Sequence, residues 1–252
     1  MKRERTLEEQ VKKQNYIQAQ KVLKQFADNE KAKILRRFFK TGKGEYAEGD
    51  KFIGVTVPDT RKVAKLFAAL ELEDVNKLLQ SKIHEERLLT LIILIDQFKK
   101  GDDSKRKKIF NYYLSNLKQI NNWDLVDISS RDIVGAFLWD KSRMLLYEMA
   151  KSKNLWIRRI AIISTFYFIQ RGEAKDTINL AKILISDQHD LIHKAVGWML
   201  REVGKRINKK LLLNFLDNFH TKMPRTMLRY SMEHLPEKTR LKYLNNKNII
   251  VN

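Results

Sequence analysis

HDLIHKAVGWMLREVGKR, residues 189–206, decides the class of fold. Ile192, Ala195, Val196, Met199, Leu200 and Val203 recur there at three- and four-residue steps, which lines them up as one apolar stripe along a helix. Lys194, Trp198, Arg201 and Lys205 stand at i, i+4, i+7 and i+11 and share a different face. The stripe supplies a core contact by itself, so Trp198 is not needed to bury the helix. An indole framed by three cations suits a nucleic-acid strand or a base. The plainer reading is a half-buried Trp lying under Lys and Arg stems. His189 and His193, four apart, have metal-ligand spacing in outline. The residue after His189 is Asp190 where a zinc hydrolase wants Glu, and a third ligand is missing. Asp187, His189 and Asp190 fit service at the helix N-terminus instead, and no metal is expected.

The same periodicity extends outward in both directions, with only nine Gly and three Pro to interrupt it. It predicts helices over about 5–26, 29–40, 58–70, 73–80, 84–100, 104–118, 122–138, 141–152, 155–171, 174–186, 189–206, 209–218, 223–235 and 237–245, with no alternating strand. The one long irregular stretch is 41–57, TGKGEYAEGDKFIGVTV, which holds four of the nine glycines, and a loop of that length is usually functional. Arg87, Arg159, Lys194 and Arg229 each sit in an early turn of an apolar helix, at separations of 72, 35 and 35 residues. A period of about 36 with one member skipped suggests helix pairs stacked as a HEAT- or armadillo-like α-solenoid. The expectation is therefore an all-α chain, one helical-repeat domain over 1–252. It is curved, with a basic concave groove, an irregular insertion at 41–57 and a disordered tail at 245–252.

Lys and Arg number 50 against 30 Asp and Glu, a net charge of +20, so a polyanion is the leading partner. A basic surface kept for solubility is the competing explanation. With no cysteine, disulfides, thiolate metal sites and cysteine nucleophiles are excluded, and a reducing compartment is expected. The longest apolar stretches, Leu88–Ile95 and Ile160–Ile169, are eight and ten residues, well short of the roughly 20 a membrane helix needs. The start MKRERTLEEQ lacks the apolar segment of a signal peptide, so a cytoplasmic protein is expected. Neither a phosphate-binding glycine loop nor a glycine-framed serine nucleophile occurs.

INNWDLVDISSRDIVG, 120–135, places Trp123 and Asp127 four apart on one helical face, with Asp124 turned away by about a third of a turn. A fixed carboxylate beside an aromatic face is what hydrolysis of a glycosidic bond requires, because the transition state is oxocarbenium-like. Equally, Asp127 can pair with Arg131 and Trp123 can anchor a core. NLWIRR, 154–159, sets Trp156 three residues before Arg159, which suits a phosphate clamp or a staple against the next repeat.

FIGVTVPDTR (52–61), NNWDLVD (121–127), NLWIRR (154–159), HKAVGWMLREVGK (193–205) and MPRTMLRY (223–230), in this order and at repeat spacing, make the chain resemble the AlkD-type DNA alkylation-repair glycosylases, helical-repeat proteins that remove N3- and N7-alkylated purines. The resemblance runs from about residue 25 to 245. It implies a monofunctional glycosylase that hydrolyses the N-glycosidic bond of alkylated double-stranded DNA without extruding the base, cofactor-free, monomeric and nucleoid-associated. By the same resemblance Asp127 is catalytic, Trp123 and Trp198 are the cleft walls, and Arg159 contacts the DNA backbone. Phe38 is the candidate aromatic residue from the N-terminal helices, and Lys194, Arg201 and Lys205 complete the DNA-binding set. The longer 41–51 loop, and Asn122-Trp123 where some members have two tryptophans, depart from the pattern. Similar proteins bind branched DNA without cleaving it, so a non-catalytic DNA-binding protein is the alternative, as is a scaffold for acidic proteins; Asp127 favours the enzyme.

Overall fold

The computed structural model describes residues 14–245. The part of the first expected helix before residue 14 and the expected tail after residue 245 lie outside the described residues. Helix is the regular structure of the described residues, with no strand among them beyond a single bridge between Lys51 and Ile83. The chain divides into two compact units, 1–129 and 130–252.

The first unit carries α1 (Tyr16–Lys24), α2 (Asn29–Phe38), α3 (Val57–Leu66), α4 (Leu72–Leu79), α5 (His84–Lys100), α6 (Asp103–Ser115) and α7 (Trp123–Ser130). Local chemistry sets the starts: the Asp28 carboxylate caps the N–H groups of Glu30 and Lys31, and Thr56 caps α3 just before Pro58. α5 is the central element, because its run LLTLIILI is apolar on every side and every residue from His84 to Ile95 is buried. It packs on α3, α4 and α6. Four charged or titratable residues, His84 to Arg87, enter the interior with it and must find partners there.

The stretch 41–56 has no helix or strand of its own, yet it is packed into the first unit. Ala47, Phe52 and Val55 are buried, and the Glu85 carboxylate accepts the N–H groups of Ile53, Gly54 and Val55, the shortest at 2.8 Å from Gly54. At Gly54 φ is +85°, and a Cβ there would lie 2.0 Å from the carbonyl oxygen of Asp28. The loop can cross α2 this closely only with glycine at that position.

The second unit carries α8 (Met144–Met149), α9 (Leu155–Ser164), α10 (Phe166–Ile169), α11 (Lys175–Ile183), α12 (Asp190–Arg206), α13 (Lys209–Phe219), α14 (Arg225–Ser231) and α15 (Glu237–Leu244), after a π-helical stretch Arg131–Gly135. α12 is its centre and touches α9, α11, α13 and α14. All six residues of the predicted stripe are fully buried. A Cβ at Gly197 would stand 2.5 Å from Tyr230 Cβ and 2.6 Å from the Met227 carbonyl oxygen, so α12 and α14 meet backbone to backbone. Gly197→Ala is expected to cost about 1–3 kcal/mol, as overpacked cores do. Urea unfolding compared with Gly42→Ala, where a Cβ meets only the flexible end of the Glu45 side chain, checks that the loss comes from contact.

No helix among the described residues is long and apolar enough to cross a membrane.

Candidate functional site

The charged start of α5 is neutralised by an ion-pair network that reaches the start of α7. His84 is buried, and both ring nitrogens meet carboxylates: Nδ1 donates to Asp50 Oδ2 at 3.1 Å and Nε2 to Asp124 Oδ2 at 2.7 Å. Arg87 donates through Nη2 to Asp50 Oδ1 at 2.7 Å and to Asn121 Oδ1 at 3.2 Å, and through Nη1 to the Ser81 carbonyl oxygen. With two acids, one imidazole and one guanidinium, the set is electrically balanced when His84 is protonated. Burial works against that proton, but the charge and hydrogen bond of Asp124 and the bond to Asp50 outweigh it and raise the imidazole above its ordinary value. For Asp50, burial is likewise outweighed, by the His84 hydrogen bond and the Arg87 charge, and the carboxyl is held below the usual range.

This network fixes the segment that carries the candidate chemistry. Asn121 and Asp124 are held by Arg87 and His84, and Asn122, fully buried, caps the Trp123 N–H at 2.8 Å. Trp123 is half-buried. Its ring stacks on Phe39 (5.1 Å between centroids, 16° between planes) and meets the edge of Phe38 at 5.7 Å. Phe39 stacks in turn on Phe52, and Phe52 on the His84 imidazole at 4.4 Å. The rings border a cavity of about 450 Å³ that also takes in Ile34, Leu35, Val55 and Leu88. One turn beyond Trp123, Asp127 is half-buried. The fully buried Tyr113, bonded to Ser129 Oγ at 3.0 Å, has its phenol pushed up, chiefly by burial and also by the charge of Asp127.

In the second unit Trp198 is half-buried against Phe166, and its indole N–H donates to Glu202 Oε1 at 3.3 Å. Arg206 and Arg201 also bond Glu202; burial would raise its carboxyl, and these two arginines hold it below the usual range. Lys194 pairs with Asp190 at 2.7 Å, Arg201 with Glu233 as well as Glu202, and Lys205 is exposed. Arg159 is buried and donates to the Leu191 carbonyl oxygen. Trp156 is buried too, and His189 caps α12 through Nδ1.

Residues 19–235 match the family model described as DNA alkylation repair enzyme. The chain belongs to this DNA alkylation repair enzyme family. Among solved structures, a predicted DNA alkylation repair enzyme from Enterococcus faecalis is similar at 15% identity with a TM-score of 0.64, covering 84% of this chain and 97% of that one. AlkD2 from Streptococcus mutans is similar at 18% identity with a TM-score of 0.50, covering 94% and 98%. A search of curated protein sequences returns no match.

For a member of this family, DNA is the implied substrate, and several candidate residues take unexpected positions. Phe38 and Trp123, far apart in sequence, are brought into ring contact. Arg87 and Arg159, two of the four cations at the repeat phase, are not surface charges. Each sits among apolar neighbours, is buried with them, and is therefore bonded inside its own unit, to Asp50 and to the Leu191 carbonyl respectively. Arg229 stays exposed. The cations beside Trp198 are paired with carboxylates, so a phosphate contact by Lys194 or Arg201 has to displace an ion pair. Sequence reasoning missed Asp50, His84, Phe39 and Phe52. The available signal was His84 itself, an ionisable ring at the head of an all-round apolar helix, which requires a buried partner.

Proposed function

We propose that this family member is a monofunctional DNA glycosylase that removes purines alkylated at N3 or N7 from double-stranded DNA by hydrolysis. The observation that carries this is the pairing of Trp123 with Asp127, one turn apart on α7, at a helix start held by the His84 network. Alkylation at N3 or N7 makes the purine cationic, so it departs as a neutral base and needs no acid to protonate it. Water adds to C1′ as the C1′–N bond breaks, and its proton goes to solvent. Positive charge moves onto the deoxyribose, where the Asp127 carboxylate stabilises it and orients the water. Trp123 and Trp198 add their π faces, and Phe38 lies near the lesion. Arg159, Lys194, Arg201 and Lys205 are assigned to the DNA backbone. The base stays in the duplex, the protein works as a monomer in the cytoplasm at the nucleoid, and the reaction uses no cofactor or metal.

Leaving-group charge gives the test. Purified protein is incubated with duplexes carrying one 7-methylguanine or one neutral lesion such as 8-oxoguanine, and free base is quantified. Release of the cationic base alone is expected. Equal release of both contradicts a reaction without a general acid.

A further inference from the structure

On α12 the residues Trp198, Glu202 and Arg206 stand four apart and form one row along the helix. Glu202, the middle member, is only 4% exposed, so its carboxylate must find its partners in the interior. Oε1 accepts two donors, the Trp198 indole N–H at 3.3 Å and Arg201 Nη2 at 3.2 Å, while Oε2 accepts Arg206 Nε at 2.6 Å. Arg206 in turn lies over the ring of Phe166, 5.3 Å from its centre, and Phe166 packs against Trp198 with 5.8 Å between centroids. Carboxylate, guanidinium, phenyl ring and indole therefore close a loop of contacts around the half-buried tryptophan. Burial works to raise the Glu202 carboxyl, but the bonds from Arg206 and Arg201 hold it below its ordinary value, so the acceptor is charged at neutral pH. That charge already neutralises guanidiniums, which leaves orientation as what Glu202 supplies. The torsion that turns an indole about its Cβ–Cγ bond is broad, and a tryptophan open to solvent on one side needs its polar edge fixed to keep a single ring direction.

We propose that Glu202 is a positioning residue for base release, one that holds the Trp198 indole in the direction it needs as a cleft wall and sets the Arg201 guanidinium beside it. This rests on Trp198 being a wall of the lesion cleft. Because the indole N–H and Arg201 Nη2 share one oxygen, ring and guanidinium keep a fixed separation. Arg201 is bonded through Nη1 to Glu233, whose side chain is 58% exposed. A phosphate can replace Glu233 at the surface while the buried Glu202 keeps its place, so DNA contact at Arg201 leaves the indole undisturbed.

Single-turnover release of 7-methylguanine from a duplex is measured with the intact protein, Glu202→Ala, Trp198→Phe, which has no indole N–H to hold, and the two changes combined. Glu202→Ala is expected to slow release by up to about 100-fold, the scale on which a displacement of about 1 Å acts. In the Trp198→Phe protein the same change is expected to add little, whereas Glu202→Gln, which keeps an oxygen to accept the N–H, retains most of the rate. Equal slowing by Glu202→Ala with and without the indole overturns the proposal, because it makes Glu202 a support of the fold. The bond itself is read without catalysis, by NMR of the indole N–H groups in nitrogen-labelled protein. The signal missing in Trp198→Phe is expected to shift in Glu202→Gln, where the acceptor loses its charge, and to shift further and exchange faster with solvent in Glu202→Ala. A signal unmoved in both variants overturns the proposal as well. If the intact protein releases no base, the cleft reading falls, and the indole signal alone decides whether Glu202 fixes Trp198.

Discussion

Asp127→Asn is expected to lower the rate of base release by about 100- to 1,000-fold, the usual effect of removing one group that stabilises developing charge. The substitution keeps the size of the side chain and replaces its charge with a dipole. Ground-state binding does not need that charge, and removing a carboxylate from a surface that meets phosphates reduces repulsion, so duplex affinity is expected to stay level or tighten. Single-turnover release and equilibrium binding on the same lesion duplex separate the two effects. A parallel loss of both would mean that Asp127 supports the fold around Tyr113, whose phenol feels its charge, and not the reaction.

Asp50→Ala is expected to destabilise the first unit by about 3–5 kcal/mol, because it takes a buried carboxylate from both Arg87 and His84 and leaves the imidazole with Asp124 alone. The loss depends on pH in a defined way. The folded imidazole of His84 is raised above 6.5, so its contribution is complete below about pH 6.5 and fades as pH rises through the folded value. Asp50 is lowered below 3.8, so its contribution is complete above about pH 4 and fades as pH falls through its folded value. The gap in unfolding free energy between the two proteins is therefore widest between about pH 4 and 6.5. Denaturant titrations across pH 3–10 measure it. A gap that is independent of pH would remove the ion pairs from the explanation. Since the same bonds hold Asn121 and Asp124, base release at a pH where the variant is still folded should fall along with stability.

How far these features were visible in the sequence follows from how local their causes are. The apolar stripe of α12 lies within one helix, and all six of its residues are in the core. Most helices begin and end within a few residues of the periodicity, and the shortfalls lie at ends such as Lys40 and Leu70, where the last residues form turns. The network escaped because its partners are 34, 37 and 40 residues apart and share no spacing rule. Asp124 was seen to turn away from Trp123 and Asp127, but nothing local said that it turns to His84. Arg159 shows the opposite limit. Its phase in the repeat was legible, whereas the carbonyl that captures its guanidinium belongs to another helix. The ring cluster was half legible: resemblance offered Phe38, and only the folded loop brings Phe52 and Phe39 to Trp123.

The claim that matters most is that this DNA alkylation repair family member breaks an N-glycosidic bond. It is tested by mixing excess protein with a duplex carrying one 7-methylguanine, in the presence of a chelator, and counting free base and abasic sites together by mass spectrometry. One free 7-methylguanine and one abasic site are expected for every duplex bound. Duplex that is fully bound, with its lesion still attached after hours, would contradict it and make the protein a DNA-binding module.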